Sequence, residues 1–162
     1  MSVLLEAWEP FRTARRVALY AALPDELSSR PCFEAVIASG RSALLPRVEA
    51  PGRLAFHLVE CWGALEPGRY GVATPPADTS QIVPAEGDLV LVPGVAFDAG
   101  GWRLGRGGGF YDRAFPDRPG GPLLCGMGYE FQRVAAVPHG SHDRRMDAIV
   151  SEHGLIETTG RG

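Results

Sequence analysis

The sequence contains no lysine and no asparagine, and its 16 basic residues are all arginine. Without lysine there is no Schiff-base chemistry and no Walker A phosphate loop. Without asparagine there is no N-glycosylation acceptor. Cysteine is scarce: Cys32, Cys61 and Cys125 are odd in number, widely spaced and include no C-x-x-C pair. A zinc ribbon or a disulfide framework is therefore not expected, and a reducing cytoplasm is the expected compartment. No apolar run approaches the roughly 20 residues of a membrane-spanning helix. The N-terminal stretch Met1 to Trp8 has no basic residue ahead of its apolar ones and carries Glu6 among them, unlike a secretory signal. An excess of one charge sign is also missing. The net charge is −3 and the pI about 5.8, with acidic and basic residues interspersed, so neither a nucleic acid nor a membrane surface is expected as a partner.

What is present is the composition of one globular domain, residues 1–162. Hydrophobic residues make up 45% and charged residues 22%. The 21 Gly and 14 Pro fall between apolar runs without repeating, which gives a loop-rich domain and not a collagen-like or disordered chain. Buried strands are expected at Val17–Leu23, Ala43–Val48, Asp88–Pro93, Leu123–Met127 and Ala148–Val150, with an edge strand at Leu54–Val59. Ser28 or Ser29 can cap a helix that carries Pro31 in its first turn and Phe33, Val36 and Ile37 on one face, until Gly40 stops it. A short helix is expected from Phe110 to Phe115, ended by Pro116. No regular element is expected between Gly94 and Gly108. Strands alternating with helical segments predict an α/β fold around a mostly parallel sheet covered on both faces.

In such a sheet ligands bind beyond the carboxyl ends of the strands, and the segment Arg103–Asp112 follows the strongest strand. Four of the five residues from Gly105 to Gly109 are glycine, so backbone N–H groups can approach a phosphate without Cβ clashes. A helix opening directly behind them adds unpaired donors, and Arg103 and Arg106 add bidentate positive charge. Asp112 is placed to help hold Mg²⁺, which prefers few carboxylates together with phosphate oxygens. The plain alternative is a flexible surface loop. A dinucleotide fingerprint is a poorer match, because the glycines follow a long loop and no acidic partner sits at the expected distance. His139, His142 and Asp143 form a loop cluster in which an Asp serving Mg²⁺ is a better reading than a His-liganded transition metal. His57 alternates within a strand and reads as structural, and none of the cysteines has a charged activator beside it in sequence.

The long motif from Asp88 to Asp98 and from Trp102 to Arg113 resembles the signature of the 5-formyltetrahydrofolate cyclo-ligases, also called 5,10-methenyltetrahydrofolate synthetases. The segments Gly126–Gln132 and His142–Val150 follow in the same order, and Ala22–Glu26, Leu45–Arg47 and Gly68–Gly71 match upstream. The resemblance implies a three-layer α/β sandwich similar to ribose-phosphate isomerases and CoA transferases. It also implies ATP- and Mg²⁺-dependent conversion of 5-formyltetrahydrofolate to 5,10-methenyltetrahydrofolate. By position, Arg103, Leu104, Gly105, Arg106, Gly107, Gly108, Gly109, Phe110 and Tyr111 would line the ATP phosphates, with Arg106 catalytic at the transferred group. Ala21, Glu26 and Tyr70 would take the folate together with Arg106 to Phe110, and Asp112 and Asp143 would hold the magnesium. The family's upstream basic helix has no counterpart here, which leaves Arg12, Arg15 or Arg16 as candidate replacements. Partners are expected to be small molecules only, with the chain a monomer or weak homo-oligomer. Two other functions share the fold: a folate- or nucleotide-binding protein with little turnover, and a sugar-phosphate isomerase or transferase.

Overall fold

A computed structural model describes residues 2–49, 52–117 and 119–158. The chain opens with two short helices, α1 (Ser2–Ala7) and α2 (Glu9–Thr13), followed by β1 (Arg16–Ala18), α3 (Arg30–Ala38), β2 (Ser42–Val48) and β3 (Leu54–Val59). Two small strands, β4 (Glu66–Pro67) and β5 (Ala73–Thr74), precede β6 (Leu89–Pro93), β7 (Ala96–Asp98) and β8 (Arg103–Leu104). Then come α4 (Phe110–Ala114), β9 (Leu123–Met127), β10 (Arg133–Val134), β11 (Ala148–Ser151) and β12 (Gly154–Glu157).

Seven strands form the main sheet in the order β12-β11-β9-β6-β1-β2-β3. The four inner pairings are parallel, while β3 and β12 close the two edges antiparallel. The predicted mostly parallel α/β sheet is therefore present, with β3 at an edge as its alternating sequence requires.

Strand alternation sends neighbouring side chains to opposite faces. Val17, Ala43, Leu45, Leu89, Leu91, Cys125, Met127, Ala148 and Val150 pack on one face with Leu5, Phe11, Phe33 and Val36 of the helices α1, α2 and α3. Ala18, Leu44, Val90, Val92, Leu124 and Ile149 point the other way, against Phe97, Phe115 and Met146. Both faces are thus covered, but unequally. The second cover is the five-residue α4 together with a small β10-β7-β8 sheet, not a layer of long helices.

Several expectations are corrected. The first strand is shorter than Val17–Leu23, because after Ala18 only the N–H of Leu19 still pairs with β2, through Leu44 O. Ser29 does not cap α3 with its side chain. Its hydroxyl donates to Tyr20 O at 2.5 Å and ties down the chain leaving β1, while Ser28 Oγ accepts the N–H of Arg30. The stretch between Gly94 and Gly108 is not irregular, since it holds the β7–β8 hairpin. Asp98, buried at the turn, accepts the N–H of Trp102 at 3.1 Å and that of Val137 at 2.8 Å, so a carboxylate organises what the glycine content disguises. The helices α1 and α2 and the strand β12 were not anticipated.

Gly126 lies inside β9 where a Cβ would stand 2.5 Å from the buried Phe97 ring and 3.4 Å from Met146. Gly126→Ala should therefore overpack this face at a cost of about 1–3 kcal/mol, read as a lowered thermal midpoint. An unchanged midpoint would mean that the Phe97 ring moves aside freely.

Candidate active site

The chain builds the sheet outward in two directions. From β1 it proceeds to β2 and β3, then crosses to β6 on the other side of β1 and continues to β9, β11 and β12. The boundary between β1 and β6 is the switch point of an open α/β sheet, where loops leave the carboxyl ends in opposite directions and open a crevice. A cleft of about 1440 Å³ lies there. Tyr20, Ala21 and Glu26 enter it from beyond β1, and Pro93 and Gly94 from beyond β6. Its volume exceeds the roughly 300–1,000 Å³ of a typical small-molecule pocket, which leaves room for two sizeable ligands.

The residues carried over by position to ATP, folate and magnesium line this one cleft: Ala21, Glu26, Tyr70, the run Arg103 to Asp112, and Asp143, whereas Arg12, Arg15 and Arg16 do not. The glycine segment is shaped by the side chains beside it. A Cβ on Gly105 would meet Arg103 Nη1 at 2.7 Å, and Gly109 adopts a φ of 60° just before α4, a left-handed conformation that favours glycine. The helix α4 is only five residues long, so its dipole adds less to the cleft than the glycine segment and the arginines do.

Arg103 is almost wholly buried, its side chain 6% exposed. It donates from Nη1 to Pro93 O at 3.3 Å and from Nη2 to both oxygens of Asp112, at 3.3 and 3.2 Å. Its guanidinium also lies 5.7 Å from the centre of the Tyr111 ring, and its Nε is buried without a hydrogen-bond partner. Burial holds the Tyr111 hydroxyl well above its ordinary pKa, so the phenol stays neutral beside that cation. Arg103 is thus a fixed buried cation with Asp112 as its counterion.

Arg106 is placed differently. It is half exposed and reaches across the mouth of the cleft to the turn after β1, donating from Nε to Glu26 Oε1 at 3.2 Å and from Nη2 to Asp25 Oδ2 at 2.6 Å. The Arg106 hydrogen bond holds the Asp25 carboxyl below its usual range. Glu26 is largely buried and its other oxygen accepts the N–H of Leu23 at 2.9 Å, so the wall of the cleft fixes it.

Aromatic groups line another part of the cleft. Tyr70, 73% exposed and at a φ of 58°, stands with its ring centre 6.3 Å from that of Phe110. Arg113 lies 5.7 Å from the Phe110 ring centre and joins Gly108 O at 2.5 Å to Gly52 O at 2.9 Å.

The loop carrying Asp143 is bound to this assembly. The N–H of Arg144 donates to Asp112 Oδ1 at 3.0 Å, and Asp143 Oδ2 accepts the N–H of Gly140 at 2.7 Å. His139 stacks on Trp102, with ring centres 3.7 Å apart and 6° between planes, and its Nδ1 is 3.0 Å from Val137 O. It serves there as a packing group, and among the described residues no three His, Cys, Asp or Glu come together as metal ligands. His57 is buried, its Nδ1 3.0 Å from Thr79 O, in keeping with a structural role. Burial raises the thiols of Cys32, to about 11, and of Cys125. Arg15 and Arg16 do not approach the cleft. Both pair with Asp88 at the amino ends of β1 and β6, at the end of these strands opposite the cleft.

Four residues shape the site without having been singled out in the sequence. Asp25 and Arg113 hold the two sides of the glycine segment, and Asp98 holds the hairpin. Gln132 joins the loop after β9 to that after β6, donating to Gly94 O at 2.8 Å while accepting the N–H of Tyr129 at 2.7 Å. The only sequence signal for the four is that each is a polar residue inside a segment that carries the family resemblance.

Fold and cleft together define an open α/β protein whose candidate site lies at the switch point of its sheet. The profile of the 5-formyltetrahydrofolate cyclo-ligase family matches residues 3–152, and the chain belongs to that family. It is 29% identical to the 5-formyltetrahydrofolate cyclo-ligase of Escherichia coli K12 over 159 residues, covering 93% of this chain and 85% of the relative. The mouse 5-formyltetrahydrofolate cyclo-ligase is 22% identical, covering 90% and 77%. The solved structure of Aquifex aeolicus 5,10-methenyltetrahydrofolate synthetase superposes with a TM-score of 0.81 at 31% identity, covering 99% of this chain and 81% of that one.

Proposed function

We propose that the protein converts 5-formyltetrahydrofolate to 5,10-methenyltetrahydrofolate with consumption of ATP and release of ADP and phosphate. Beyond membership of the family, the observation that carries this reading is the reach of Arg106 from the glycine segment to Glu26. One guanidinium touches both the wall suited to a phosphate and the carboxylate suited to a pterin.

The chemistry requires the formyl oxygen to be made a leaving group. The γ-phosphoryl group of ATP passes to that oxygen, N10 attacks the formyl carbon, and the C–O bond breaks to give phosphate while N10 loses its proton. Such transfers depend on alignment and charge neutralisation more than on covalent help from the protein. The backbone of Gly105, Gly107, Gly108 and Gly109 and the cation of Arg103 receive the phosphates, with Leu104 and Tyr111 closing that side. Arg106 neutralises charge on the transferring group. Glu26 accepts hydrogen bonds from the N–H edge of the pterin, whose ring lies against Ala21, and Tyr70 and Phe110 flank the remainder.

Asp112 and Asp143 suit Mg²⁺ as part of a shell completed by phosphate oxygens and water. Asp143 Oδ1 takes no protein hydrogen bond among the described residues, Asp112 Oδ2 accepts only from Arg103, and the Arg144 N–H keeps the two loops together. Bound there, the ion would neutralise phosphate oxygens during transfer. The cytoplasm is the compartment we assign, in keeping with free thiols at Cys32, Cys61 and Cys125. No described helix is long and apolar enough to cross a membrane. We assign a monomer or weak homo-oligomer.

The test is direct. Purified protein with ATP, Mg²⁺ and 5-formyltetrahydrofolate should generate the near-ultraviolet absorbance of the methenyl product, with one phosphate per turnover. Saturable folate binding without ATP-dependent absorbance would make the chain a binding protein instead.

A further inference from the structure

We propose that Asp25 is a positioning residue for Arg106: it holds one edge of the guanidinium so that the other stays aimed at the transferring phosphoryl group when the folate occupies Glu26. The inference rests on the roles given above to Arg106 and Glu26.

An arginine side chain carries five N–H donors in a planar fork. In Arg106, Nε and one Nη2 hydrogen face the acidic turn, through Glu26 at 3.2 Å and Asp25 at 2.6 Å. Nη1 takes no protein partner among the described residues, so the outer edge formed by Nη1 and Nη2 is free for an anion in the cleft that Arg106 lines. One side of the fork is anchored and the other is available.

The two anchors differ in kind. Glu26 is 11% exposed and fixed by the Leu23 N–H, whereas the side chain of Asp25 is 67% exposed and its described side-chain partner is Arg106. A pterin that uses the Glu26 carboxylate competes with Arg106 Nε for its lone pairs. Asp25 is outside that competition and makes the shorter bond. With Glu26 engaged, Asp25 is therefore the remaining anchor.

The test is a double-mutant cycle on kcat with both substrates saturating, using Asp25→Ala, Arg106→Ala and the pair, with thermal midpoints for all proteins. Asp25→Ala should lower kcat about three- to tenfold, as suits an exposed charge pair whose loss misaligns a catalytic group, with the folate KM within about twofold and the midpoint unchanged. In the Arg106→Ala background the same change should have almost no effect, and Asp25→Glu should recover much of the rate. An equal loss in both backgrounds, an unchanged kcat in Asp25→Ala, or a loss that merely follows unfolding would overturn the proposal. An Arg106→Ala protein with parental kcat would instead overturn the reading on which it rests.

Discussion

Asp112→Ala should lose nearly all turnover and a measurable part of its stability, for two separable reasons. The carboxylate is one of the two proposed for Mg²⁺, so its loss leaves the shell around the phosphate oxygens incomplete. It is also the counterion of Arg103, and both side chains are mostly buried, at 18% and 6% exposed. Removing one member of such a pair leaves an uncompensated charge and costs about 3–5 kcal/mol. Asp112→Asn separates the effects. Its amide oxygen can still accept from Arg103 and from the Arg144 N–H, which Asp112 bonds at 3.0 Å, so the thermal midpoint should fall less than in the alanine variant. Turnover in Mg²⁺ should stay low. A well-folded asparagine variant with the parental rate would reduce Asp112 to a structural counterion.

Arg106→Ala should leave the fold intact and lower kcat well over tenfold, with a smaller change in the KM for ATP. Half exposed and bonded, among the described residues, to Asp25 and Glu26, this side chain contributes little to the core. A hydrogen bond between charged groups is worth about 1.5–3 kcal/mol, and more where it strengthens as the phosphoryl group transfers. Arg106→Lys should recover only part of the rate, because an ammonium cannot hold an acidic turn on one edge and an anion on the other with the geometry of a planar fork. If kcat is unchanged in the alanine variant, the essential charge lies elsewhere and Arg103 is the next candidate.

Sequence patterning locates most strands that are uninterrupted apolar runs, Val17–Leu23 excepted, where only Arg16–Ala18 is a strand. The run Asp88–Pro93, which forms β6 at Leu89–Pro93, and the alternation in Leu54–Val59 mark the centre and one edge of the sheet. The β7–β8 hairpin was hidden because its order comes from one buried carboxylate, Asp98, which binds a turn and a segment 39 residues away. Local propensity carries no trace of such a bond. The site divides in the same way. The glycine segment and its arginines were legible because their spacing is local. That Arg106 meets Asp25 and Glu26, some 80 residues earlier, follows only from the crossing of the chain between β1 and β6. The burial of Arg103 and the exposure of Arg106 were equally out of reach, since two arginines three residues apart look alike in sequence.

The face-to-face contact of Trp102 with His139 provides an optical gauge. The indole belongs to the hairpin and the imidazole to the loop that ends in Asp143, so any separation of hairpin and loop changes the polarity and quenching around a single fluorophore. With Trp8 and Trp62 replaced by phenylalanine, the emission of Trp102 would follow that loop in real time during ligand binding, without an attached dye.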